Sequence, residues 1–203
     1  MDQYPSHSSS GWKKGCLFGF IGVLVIAGIC AWFFVSHYNK AVRLDETVKQ
    51  QWAEVENQLK RRYDLIPNLV ETVKGYAAHE KDLFKHVADA RKAYFSANSV
   101  AQKAAASGGM ERALSRLLLL KETYPNLKAN QNFMKLQDSL EGTENRIAVA
   151  RTRYNASVKE VNSFVRSFFG RFFATMAGVE KAEFFEIPED MKAEMDTPPK
   201  VGF

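Results

Sequence analysis

A chain of 203 residues is long enough for one domain with a sizeable core, and its formal net charge of +5 is modest. No polybasic cluster of the lipid-reading kind occurs, and no base-stacking pattern or nucleic-acid fold signature accompanies the charge, so nucleic acid is not an expected partner. Both cysteines, Cys16 and Cys30, fall in one apolar run about 21 Å apart by helical rise, so they cannot bridge each other and say nothing about redox compartment.

Residues 1–15 are polar and read as a short disordered tail. Cys16 to Val35 then carries no charge and no proline, and its length as a helix matches one hydrocarbon core of about 30 Å. Trp32 and Tyr38 suit an interfacial position. A cleaved signal peptide is the competing reading, but the run is long for one and no small-residue cleavage site follows it. A transmembrane helix over residues 16–36 is therefore expected, with the lipid bilayer as its partner. Lys13 and Lys14 before the span balance His37, Lys40 and Arg43 after it, so the flanking charge does not set the orientation. Gly15 and Gly19, four apart, would let two such helices approach closely and are the candidates for self-association as a homo-oligomer.

No Gly or Pro lies between Gly28 and Pro67, so the span is expected to continue into the first soluble helix. Val48, Trp52, Val55 and Leu59 form its inward stripe. Pro67 marks a turn into a second helix, with Asp64 placed to accept from its first free N–H groups. That helix is predicted to run to about Asn98, with Glu80 the one charged residue on its apolar seam and Gly75 a mild local cost. Folding back near residue 66 would set Arg62 level with Glu71 and Glu80 level with Trp52, so Glu80 either lies at the seam edge and reaches water or pairs with an arginine of the last helix such as Arg151 or Arg153. Small polar residues over 96–109, ending in Gly108-Gly109, predict a mobile connection or a frayed helix end, and Met110 to about Thr123 a third helix broken by Tyr124-Pro125.

The last helix, to about Phe169, has the clearest heptads: Phe133, Leu140, Ile147, Tyr154, Val161 and Phe168 recur every seven residues, with Leu136, Thr143, Ala150, Ser157 and Phe164 filling the second seam. Beyond Gly170, Phe172, Phe173, Phe184 and Phe185 make an aromatic-rich segment expected to pack against the bundle or the membrane surface, and then comes an extended end. Residues 108–178 carry 11 Lys/Arg against 6 Asp/Glu, whereas residues 179–203 carry 3 against 7, so the acidic tail either folds back on a basic helix or solvates itself. The expected architecture is all-α: the N-terminal transmembrane helix followed by an antiparallel four-helix bundle over 37–178 and an aromatic, extended acidic tail over 179–203.

No reaction is legible. The carboxylate-bridged metal motif of helical bundles fails at both His79 and His86, which lie about 10.5 Å apart by rise. The soluble part has no cysteine, no nucleophile elbow and no phosphate loop. No catalytic residue, metal or cofactor is expected. The alternative is an envelope metal protein or enzyme built on His79, Glu80 and His86. Asn155 and Asn162, one heptad apart, are read as setting helix register.

The chain resembles the LemA family of bacterial membrane proteins. The resemblance rests on Tyr38-Asn39, Trp52, Arg61-Arg62, Asp64 through Val70, Tyr76, His79-Glu80, Ala90-Arg91, Tyr124-Pro125, Leu136-Gln137, Ala150-Arg151, Tyr154-Asn155, Asn162, Phe184-Phe185-Glu186 and Pro199-Lys200-Val201, and it covers nearly everything after residue 36. The chain departs from the family pattern at Phe169-Gly170 and Gly178-Val179, which puts the path after the last helix in question. The resemblance implies a single-pass protein of the cell (inner) membrane with its N-terminus outside and its bundle cytoplasmic, and no firm biochemical activity. The function expected is non-enzymatic: a scaffold or interaction module for unidentified protein partners, with a signalling adaptor as one variant. Arg62, Asp64, Asn68, His79, Glu80, Arg151 and Asn155 are the candidate polar positions.

Overall fold

The computed structural model describes residues 10–187, with side chains from Gly19 onward. Seven helices occupy them: α1 (Ser10–Asp64), α2 (Ile66–Lys74), α3 (Lys81–Ser96), α4 (Val100–Thr123), α5 (Pro125–Lys128), α6 (Gln131–Arg166) and α7 (Phe168–Met176). There is no strand among the described residues. The chain is all-α, an N-terminal apolar helix leading into a helical bundle. Its contacts group into two compact units, one of the chain up to Arg43 with Phe164–Glu180, the other of Leu44–Ser163 with the residues from Lys181.

In the larger unit, pairs of contacts fix the helix directions. Trp52 meets Tyr154, and Arg62, ten residues on, meets Glu144, ten residues back, so α1 and α6 run antiparallel. Tyr63 stacks edge-on against Tyr94, and Asp64 faces Arg91, so α1 and α3 are antiparallel too. Glu111 pairs with Arg151 and Lys121 with Gln137, which sets α4 against α6 in the same sense. The result is an up-down-up-down bundle of α1, α2–α3, α4 and α6. Val55, Leu59, Leu69, Val73, Leu114, Leu117, Phe133, Leu140, Ile147 and Val158 fill its interior.

Three expectations about the helices fail. The single helix over 64–98 is broken after Lys74, and residues 75–80 are held by turns such as Tyr76 N–H and Ala77 N–H donating to Val73 C=O. A continuous helix would have driven Glu80 into the core; the break exposes Tyr76 and His79 and buries Ala77 instead. Asp64 does not cap α2, whose N-cap residue is Leu65 and carries no side-chain cap. Conversely, the small residues over 96–109 are largely helical, because α4 starts at Ser99, whose hydroxyl accepts from Gln102 N–H, and runs through Gly108-Gly109. Ala104, Ser107 and Gly108 are buried. Small side chains there let the backbone of α4 come close to large neighbours such as Tyr63.

In the smaller unit, α1 begins at Ser10 and presents an exposed apolar surface from Gly19 to Val35. It is the one described helix long and apolar enough to cross a membrane. The α6 seam is buried as far as Phe164 and then stops, because the helix ends at Arg166 and not at Phe169. Ser167 caps α7 by accepting from Gly170 N–H. A Cβ on Gly170 would collide with the Phe164 carbonyl and the Ser167 side chain, so only glycine fits this junction. Gly178, at φ +68°, ends α7 with Val179 N–H on Ala174 C=O and Gly178 N–H on Thr175 C=O, the paired bonds of a left-handed helix stop.

Candidate functional site: a groove that holds an extended segment

Residues 181–187 have no regular structure, yet they are tied down by side chains of α6. Asn155 Nδ2 donates to the Phe185 carbonyl at 3.1 Å while its Oδ1 accepts from Phe185 N–H at 2.9 Å. Asn162 does the same to Ala182, with both bonds at 2.9 Å. Tyr154 Oη donates to the Glu183 carbonyl at 2.7 Å. A primary amide has the donor and acceptor of a peptide group side by side, so asparagine can pair with a backbone as a neighbouring strand would. Each partner fixes the amide's orientation, since the backbone N–H needs Oδ1 and the carbonyl needs Nδ2.

The spacing accounts for the shape of the segment. Seven residues of helix separate the two asparagines by about 10.5 Å. Three residues, Ala182 to Phe185, reach about 10 Å only when almost fully extended. One heptad of α6 therefore measures three residues of extended chain. Main-chain recognition ignores sequence, and one side chain supplies the selectivity: Phe185, 4% exposed, lies 6.1 Å from the Trp52 ring and 4.7 Å beneath the Arg151 guanidinium. At the other end the Glu183 carboxylate accepts from Ala101 N–H at 3.4 Å in the first turn of α4, where the helix dipole favours an anion.

Behind the groove is a polar layer. Arg151 pairs with Glu111 at 2.8 Å, with side chains 20% and 14% exposed. Trp52 packs on Tyr154 at 5.2 Å and lies under the Lys103 ammonium, which also pairs with Glu56. Burial pushes the Tyr63 hydroxyl up to about 12, and its neighbour Ser107 is fully buried. Burial also pushes Tyr154 up to about 12, and the Glu183 charge adds to it.

The candidate positions separate accordingly. Arg151 and Asn155 belong to the groove, and with them Asn162, which reads tail backbone as well as standing on α6. Arg62 is buried in the bundle and meets Glu144 at 3.6 Å, not the level of Glu71. Asp64 pairs with Lys60 at 2.6 Å and Arg91 at 3.9 Å on the surface. Asn68 is exposed. Glu80 is neither level with Trp52 nor paired with Arg151 or Arg153; its carboxylate accepts from Tyr124 Oη at 3.4 Å beside the α4–α5 turn. His79 is exposed in the 75–80 break, and His86 is on α3. Among the described residues no three His, Cys, Asp or Glu side chains converge on a common point. The surroundings of Gly15 fall outside what is described, and a Cβ on Gly19 would meet nothing. Sequence reading missed Tyr154 as a donor, Glu111 and Ser107. The first sat in a seam of apolar residues and the other two in or beside a run read as linker.

The sequence model of the LemA family matches residues 51–203, which includes the whole of the groove. The chain belongs to the LemA family. Among its relatives is magnetosome protein MamQ 2 of Paramagnetospirillum magneticum, 26% identical over 82% of this chain and 70% of the relative. Magnetosome protein MamQ 1 of the same organism gives the same figures. Magnetosome protein MamQ of Magnetospirillum gryphiswaldense is 28% identical over 74% of this chain and 65% of the relative. With its long apolar helix, this LemA-family chain is a membrane-associated helical protein.

Proposed function

We propose that this LemA-family chain is a single-pass, non-catalytic interaction module of the cell (inner) membrane. Residues 16–36 anchor it in the bilayer, its N-terminus lies outside, and its bundle works in the cytoplasm as a scaffold for extended segments of partner proteins. The observation that carries the reading is the groove of α6. Five side-chain hydrogen bonds from Tyr154, Asn155 and Asn162 read the main chain of residues 182–185, and one aromatic anchor, Phe185, fills a pocket. This is peptide recognition, with the main chain giving affinity and a pocket giving selectivity. In the free protein the chain's own tail occupies the groove, and its covalent tether gives it a high effective concentration that a partner must outcompete. Kinship with proteins named for the magnetosome supports a place in a cellular structure over a metabolic conversion.

The test uses full-length protein in lipid nanodiscs. Substituting proline at Ala182 and Phe185 removes the two N–H donors that bind Asn162 and Asn155, releasing the tail while leaving the groove intact. A fluorescent peptide with the sequence of residues 181–187 is then titrated and followed by anisotropy. The peptide should bind the released variant and not the native protein, and adding Asn155→Ala should abolish that binding. Absence of binding to a released variant with an unchanged helical spectrum would contradict the interaction reading.

A further inference from the structure

The smaller unit carries an apolar surface that neither the core nor the groove uses. α7 reads FFGRFFATM, and its inward residues Gly170, Phe173 and Ala174 are buried. Phe173 meets Phe34 at 5.3 Å, His37 at 5.4 Å and Phe33 at 6.2 Å between ring centroids, so α7 is packed on α1. Its outward face is also apolar: Phe168 is 88% exposed, Phe172 59%, Phe169 57% and Met176 49%. A helix lying in water would carry polar residues there. Phe168 is the more telling because the heptad of α6 would have buried it. The Ser167 cap and Gly170 divert the chain one residue earlier and turn that phenyl outward.

We propose that α7 is a membrane-interface helix whose Phe168, Phe169 and Phe172 side chains enter the headgroup–acyl boundary of the bilayer beside the end of the transmembrane span. This rests on the reading of residues 16–36 as the anchor. The depth follows from Phe33, which belongs to the apolar run of α1 and touches Phe169 at 5.7 Å. Whatever covers Phe33 reaches Phe169, and the cover of an apolar run exposed from Gly19 to Val35 is lipid. The polar groups at this level suit the same partner. Arg166 and Arg171 are exposed, and Lys40 sits 5.6 Å over the Phe164 ring, all on the elements that carry the phenyls and of the sign that anionic headgroups attract. Phenyl rings on one side and cations beside them are the two ingredients of helices that lie in the interface plane. The span and α7 would then fix the chain to the membrane at two adjacent points.

Site-directed spin labelling tests this on the full chain, with Cys16 and Cys30 changed to Ala and the protein reconstituted in phosphatidylcholine–phosphatidylglycerol vesicles. Labels are placed one at a time at Phe172→Cys, Phe168→Cys, Leu24→Cys in the span, and Ser139→Cys on the exposed face of α6. Accessibility to oxygen, which partitions into lipid, is compared with that to a water-soluble nickel chelate. The expected result is an oxygen-to-nickel ratio at Phe172→Cys and Phe168→Cys several-fold above that at Ser139→Cys, approaching the Leu24→Cys value. A ratio at the α7 sites equal to that at Ser139→Cys overturns the proposal, as does a label shielded from both reagents and broadened by a second label, which would place another copy there. If Leu24→Cys also reports water, the anchor reading fails with it; if Leu24→Cys reports lipid, the failure is confined to α7.

Discussion

Two of the stretches without regular structure among the described residues of the bundle unit are held in opposite ways. Residues 75–80 are fixed by their own backbone turns and by two contacts at the rim, Asn130 Nδ2 to Tyr76 Oη at 2.8 Å and Tyr124 Oη to Glu80 at 3.4 Å. Residues 181–187 make no local turns and depend on side chains of a distant helix. The first stretch is a helix interrupted so that a carboxylate can stay near water. The second is a ligand that happens to be covalently attached. Polar residues resembling a family motif occur at both, yet only at the second do they converge on a common object.

Substitutions should separate the two stretches, and the largest effect falls behind the groove. Arg151→Ala leaves Glu111 without its partner in a mostly buried site and removes the cation over Phe185; about 3 kcal/mol of stability should be lost, measured by denaturant titration. Asn155→Ala strands the N–H and C=O of Phe185 and should cost about 2 kcal/mol, accompanied by tail release seen as rapid proteolysis after residue 180. The alkaline limb of stability comes next. The Tyr154 pKa is raised to about 12 in the folded chain from an ordinary 10, so the neutral hydroxyl is favoured by folding. That contribution is complete below about pH 10 and is lost as pH rises through about 12, with Tyr63 titrating in the same window. Melting temperature should fall over this range, and less steeply in Tyr154→Phe than in the native protein. Smallest of all is His79→Ala, an exposed position in the 75–80 break, which should change stability by no more than about 0.5 kcal/mol. A large loss there would erase the contrast between the two stretches.

The features legible in the sequence were those set by periodicity. The apolar span follows from its length, the Pro67 and Tyr124-Pro125 breaks from proline's missing N–H, and the α6 seam as far as Phe164 from spacing, all of which a single helix displays by itself. What failed was decided between helices. Gly108-Gly109 reads as a stop on propensity, but buried small residues let α4 pack closely, and tertiary packing overrides the local cost. Glu80 fits an unbroken heptad on paper, but the helix stops with Gly75 as its C-cap and Glu80 stays partly exposed. Asn155 was legible as a candidate. That the asparagines grip main chain was not legible, because the partner positions, Ala182 and Phe185, contribute through backbone groups that carry no sequence signal.

Hydrogen–deuterium exchange of the Ala182 and Phe185 amides, in full-length protein in nanodiscs, tests the groove most directly. Both amides end on asparagine Oδ1 atoms and on no backbone carbonyl, so their protection reports the clamp alone. The account predicts slow exchange at both in the native protein, with Phe185 released by Asn155→Ala and Ala182 by Asn162→Ala. Exchange at the rate of an unstructured peptide in the native protein would mean that the tail is not held, and the groove would lose its claim to be a recognition site.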